Sequence, residues 1–153
     1  MKPNSIAVVG AAETTDLGVI PGMSQIQLHA DAALNAMRDA GLKPSDIDGI
    51  ATAGETPVTL AHYLGITPKW CDGTAVGGCS FMLHVRHAAA AINEGLAETI
   101  LVTHGESGKS RVGVGGFFGL ELRGQVHGSG LQWSKRQNNG YPSILPAATV
   151  ATT

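Results

Sequence analysis

Apolar positions along this chain follow two habits: short unbroken runs closed by glycine, and longer stretches with a period near 3.6. "SIAVVGAA" is a short run containing Gly10 and reads as a buried strand. From Ser24 to Ala40 the spacing is helical, with Ile26, Ala30, Ala33, Leu34 and Met37 on one face. His29, Asp31 and Arg38 fall mostly off that face, and Gly41 stands where a helix stop is expected. A turn around Pro44, Ser45 and Asp46 leads into a second strand, Gly49–Ala53. Thr56 and Pro57 then have the chemistry of an N-cap and first helical position. "KWCDGTAVGG" holds a third strand before its glycines, a helix follows from Ser80 to Gly95, and Thr99–Thr103 is a fourth strand. Strands alternating with helices predict an α/β fold with a largely parallel or mixed sheet.

The rest of the chain has neither period. Nine of the 26 residues from Gly105 to Gly130 are glycine, and no acidic residue follows Glu121. The expectation for residues 126–153 is an irregular or disordered tail.

Composition sharpens this picture without redirecting it. Of the 153 residues, 43% are hydrophobic and 14% charged, enough apolar side chain for one domain with its own core. The net charge of −2 and the scattered lysines and arginines exclude a basic groove for nucleic acid. No apolar stretch is long enough to span a bilayer. Two cysteines without a secretion signal read as reduced thiols, which points to the cytoplasm.

The candidate chemistry lies in "VGGCSFMLHVRHAAAAI", Val76 to Ile92. On a helix, Phe81, Val85, Ala88 and Ile92 line one inward face, with Met82 and Ala89 beside them as core fillers. Cys79 then sits at or just before the N-cap, where unpaired backbone N–H groups and the macrodipole favour an anion. A thiol so placed ionises and attacks readily, and Gly77 and Gly78 permit close approach. Cysteine is also a small, commonly buried space filler, so both readings of Cys79 stand at this level.

Three motifs in order, "IAVVGAAET", "DIDGIATAG" and "VGGCSFMLHVRHAAAAINEGLAETILVTHGES", resemble the N-terminal part of thiolase-superfamily proteins. The likeness runs from Ile6 to about Gln125 and is nearest the lipid-transfer or sterol-carrier thiolase-like branch, akin to acetyl-CoA acetyltransferases. It implies a layered α/β half-domain, a mixed sheet with helices on both faces. The chain then divides into an incomplete thiolase-like domain, 1–125, and the tail, with truncation at the C-terminal side. The resemblance further implies coenzyme A thioesters as substrates with no bound cofactor, a place in lipid metabolism, acyl-CoA as ligand, and a homo-oligomer such as a dimer. Its catalytic residue is a helix-N-terminal cysteine, matched here by Cys79, although an ungapped alignment on the helix sets that position at Gly78. The histidines and second cysteine of the family's other half have no counterpart motif. The chain is therefore expected to be inactive alone as an acyltransferase, or to be a non-catalytic acyl-CoA-binding or oligomerisation module.

Other signals are weaker. Gly108, Lys109 and Ser110 match part of a phosphate loop, but Thr103 stands where its first glycine belongs and no helical pattern follows. Gly113–Gly119 reads as loop. His84 and His87 share a helix face at i,i+3 but lack a third ligand, so His29, His62, His84, His87, His104 and His127 are expected as surface or packing histidines, with no metal site.

Overall fold

The computed structural model describes residues 6–105 and the backbone of 147–152. In chain order the elements are β1 (Ile6–Ala12), α1 (Gln25–Ala40), a 3-10 turn (Pro44–Asp46), β2 (Gly49–Ala53), α2 (Pro57–Leu64), β3 (Trp70–Asp72), α3 (Ser80–Asn93), β4 (Thr99–His104) and β5 (Ala147–Thr152). One five-stranded sheet has the order β1-β5-β4-β2-β3. Strands β4, β2 and β3 run parallel, whereas β5 lies antiparallel between β1 and β4. The fold is mixed α/β, as the alternating pattern predicts.

Strand alternation builds the two layers. Ile50 and Leu101 face one side, where they pack with Ala30, Ala33 and Met37 of α1 and Leu60 and Ala61 of α2. Ala51, Ile100 and Val102 face the other, against Ala88, Ala91 and Ile92 of α3. Gly49 makes room in this second layer, since a Cβ there would stand 2.6 Å from Ile100 Cγ1.

Helix α1 begins where Ser24 N–H donates to Gln27 Oε1 at 2.8 Å and ends at Gly41 in the left-handed conformation. Its buried stripe is rotated from the expected one: His29 is inside and Leu34 is 43% exposed. Small residues set this rotation. Ala32 and Ala36 cluster with Ala12 of β1, and Gly10 lies directly beneath the Ala36 carbonyl. Helix α3 differs in the same way, with His84 buried and Met82 64% exposed rather than filling the core.

Two further expectations are corrected. Strand β1 is an edge strand rather than a buried one. Among the described strands it pairs only with β5, its register shifts between Val8 and Gly10, and Val8 and Val9 are exposed. Within the tail, Ala147–Thr152 is a strand of the sheet, whose backbone pairs on both sides offset its lack of pattern. Residues 126–146, the partial phosphate loop at Gly108–Ser110, the glycine run Gly113–Gly119 and His127 lie outside the described residues. No described helix is long and apolar enough to cross a membrane.

Gly10→Ala would place a methyl against the Ala36 carbonyl and 2.8 Å from Ala40 Cβ. Urea unfolding should show a loss of about 2–3 kcal/mol, the cost of an overpacked contact against backbone.

Candidate active site

The carboxyl ends of β2 and β4 meet the start of α3, the usual place for ligands in an open α/β sheet. Chain leaving β3 crosses the loop 73–78 and enters α3 through Cys79, its N-cap residue. Gly77 has φ +99, a conformation that a side chain would strain, and open space surrounds it. Ser80 N–H donates to Gly77 O at 3.0 Å, and Met82 N–H to Cys79 O at 3.0 Å. Cys79 is exposed, so its sulfur is not packed into the core. Among the described residues no side chain bonds that sulfur. Val76 and Met82, 56% and 64% exposed, put apolar surface within one turn of it. The Phe81 ring lies against the His104 ring at the end of β4, with centroids 6.1 Å apart.

The other strand ends are tied down beside this site. Gln25 Nε2 donates to the Gly54 carbonyl, and Gly105 N–H donates to Ala53 O at 3.3 Å. Gly54, with φ +100, lies so close to the Gly105 carbonyl that no side chain fits between them. His29 completes the tie from α1. Its Nε2–H donates to the Gly105 carbonyl at 3.1 Å, which leaves Nδ1 to accept from the Thr103 hydroxyl at 2.9 Å. Burial pushes the His29 pKa down to about 4, although the Gly105 carbonyl opposes the shift and His104 adds to it.

The i,i+3 histidines each hold a group of the preceding strand or loop. His84 Nε2–H donates to Thr74 O at 2.8 Å, and His87 Nδ1–H donates to Asp72 Oδ2 at 2.6 Å. Among the described residues no group of three or more His, Cys, Asp or Glu has a metal-holding arrangement. Burial alone would raise the Asp72 carboxyl, but hydrogen bonds from Thr74 and His87 outweigh it and hold the group below the usual carboxylate range. Cys71 lies apart from Cys79, in an open groove of about 390 Å³ whose lining includes Trp70, Asp72, His87, Ala91 and Leu96. Cys79 does not line this groove. Burial pushes the Cys71 thiol up. His62 is exposed.

Spacing locates Cys79 at the helix start, but the partners of His29, His84 and Asp72 are invisible to it. The one available signal was the chance for buried imidazoles to meet strand-end carbonyls.

No family model matches the chain. The Ltp2-ChsH2(DUF35) aldolase structure superposes with a TM-score of 0.72 at 20% identity, covering 99% of this chain and 56% of that one. The fold is thiolase-like. Xanthomonas campestris OleA, solved with bound lauric acid and lauroyl-CoA, agrees with a TM-score of 0.68 at 12% identity, over 97% of this chain and 56% of that one. By sequence, the chain is 33% identical over 105 residues to a Mycobacterium tuberculosis 17-hydroxy-3-oxo-4-pregnene-20-carboxyl-CoA lyase, a match covering 66% of this chain and 27% of the lyase. The chain spans about a quarter of the length of the curated relatives it matches.

The neutral His29 predicts acid lability. Its folded pKa, about 4, lies below the ordinary 6.5, so the unfolded chain takes up the proton first as pH falls. Stability contributed by the neutral ring is complete above pH 6.5, is lost on descending towards about pH 4, and changes no further below. The loss is about 3 kcal/mol. Between about pH 7 and about pH 4 the unfolding free energy from urea titrations should fall further in the wild type than in His29→Gln by about this amount.

Proposed function

We propose that this chain carries the nucleophilic part of an acyl-CoA thioester site, with Cys79 as the acyl acceptor. The observation that carries the reading is the exposed sulfur at the N-cap of α3, beside the strand ends and flanked by Val76 and Met82. The likeness to a CoA-thioester lyase and to a structure holding lauroyl-CoA supports the substrate class.

In the reaction the Cys79 thiolate attacks the thioester carbonyl, forming the new S–C bond. The tetrahedral adduct collapses, the bond to coenzyme A breaks, and the CoA thiolate leaves and takes a proton from solvent. The positive end of α3 favours the developing oxyanion. Carbon–carbon bond formation or cleavage needs more: a base for the substrate proton and a stabilised enolate. His29 and His84 are buried and committed to backbone carbonyls. This chain therefore takes up an acyl group, and a homo-oligomer or a second chain carrying the remaining half would complete the C–C step. A cytoplasmic place in lipid metabolism is part of the same reading.

The groove beside Trp70 supports a second reading, a non-catalytic acyl-CoA-binding module, because most of its lining surface is apolar and Cys79 is not part of it. Intact-mass measurement after incubation with lauroyl-CoA separates the two. Acyl transfer adds one lauroyl group, lost in Cys79→Ala and retained in Cys71→Ala. Retention of lauroyl-CoA without an adduct supports the binding module, and absence of both sinks both readings.

A further inference from the structure

The loop that delivers Cys79 is held at both ends by α3 and β3. At its root, Asp72 Oδ1 accepts from Thr74 N–H at 2.9 Å and from the Thr74 hydroxyl at 2.7 Å. The other carboxylate oxygen of Asp72 accepts the His87 Nδ1–H, one turn beyond His84 on α3. The Thr74 carbonyl accepts the His84 Nε2–H. At the far end the Ser80 hydroxyl accepts from Val76 N–H at 2.9 Å and donates to the Gly77 carbonyl at 2.6 Å. Between these anchors lie Gly77 and Gly78, with no neighbour within 4 Å of a Cβ built on either.

We propose that Asp72, His84 and His87 are positioning residues that clamp the 73–78 loop and so seat Cys79 on α3, and that protonation of His84 opens the clamp. The proposal rests on Cys79 being the acyl acceptor and concerns how that acceptor is held and regulated. The neutral His84 ring spends its Nε2–H on Thr74, and its buried Nδ1 has no partner among the described residues. A second ring proton would therefore be buried without an acceptor, at the cost of an unsatisfied donor. The titratable groups facing His84 are Asp72 from β3, which favours the cation, and His87 from its own helix, which opposes it. Asp72 already accepts from Thr74 and His87. Burial outweighs both the attraction of Asp72 and the Thr74 carbonyl, which also favours the cation, and holds the ring below the ordinary histidine range. In acid the imidazolium leaves, the Thr74 carbonyl is released, and the loop loses its root.

Two readouts on the full chain test this without any thioester, so a failure of Cys79 to accept an acyl group leaves them interpretable. The first is hydrogen-exchange protection of the Thr74 and Val76 amides, corrected for intrinsic rate. The second is the alkylation rate of Cys79 by iodoacetamide relative to Cys71 in the same molecule. From about pH 7 to about pH 5, wild-type protection and the Cys79 ratio should each fall about fivefold, the weight of one buried hydrogen bond. His84→Gln keeps an amide donor for Thr74 and cannot titrate, so it should hold the neutral values across the range. His84→Ala, with folding verified by circular dichroism, should show the acid values already at neutral pH. The proposal is overturned if folded His84→Ala matches the wild type at neutral pH, or if His84→Gln retains the acid drop. Should His84→Ala not fold, the His84→Gln profile alone decides.

Discussion

The site depends on the alternation of β4. Ile100 and Val102 turn to α3, while Leu101 and Thr103 turn to α1 and α2, so one strand grips both layers. Each is buried against its helix, at about 25 cal/mol for every Å² of apolar surface withdrawn from water. This grip brings the start of α3 and the end of β4 together, as the contact between the tilted rings of Phe81 and His104 records. It also explains why the polar ties cluster at the carboxyl edge. The strands stop there, the carbonyls of Gly54 and Gly105 just beyond them need donors, and Gln25 and His29 of α1 supply them.

Much of this arrangement was legible in the residues. Gly49–Ala53, the Thr56 cap, Trp70–Asp72 within the stretch read as a third strand, and the start of α3 at Ser80 all stand where period and turn chemistry put them. These are elements whose signals are local. The failures share a cause of the opposite kind. The stripe of α1 is rotated because Gly10 and Ala12 admit a close helix, which no window on α1 alone contains. Strand β5 has no alternating pattern to read, and its place follows from pairing with partners more than forty residues away.

The site divides along the same line. The placement of Cys79 follows from two glycines and an alanine-rich helix, a short-range pattern. The histidines do not, because a helical spacing cannot distinguish a solvated imidazole from one that caps a distant carbonyl. His29 bonds across 76 residues to Gly105, and His84 across 10 to Thr74. Both are buried because each has a carbonyl to satisfy its N–H, a balance of desolvation against hydrogen bonding that only the folded chain makes visible.

Fold and site thus converge on one arrangement: a thiolase-like sheet whose carboxyl edge holds an exposed sulfur at a helix start, with apolar side chains at hand and a loop fixed from beneath. The most direct measurement is the rate of Cys79 alkylation by iodoacetamide with and without lauroyl-CoA, Cys71 serving as the control within the same chain. Lauroyl-CoA should suppress reaction at Cys79 and leave Cys71 unchanged. Equal alkylation of Cys79 in its presence and absence would contradict the account.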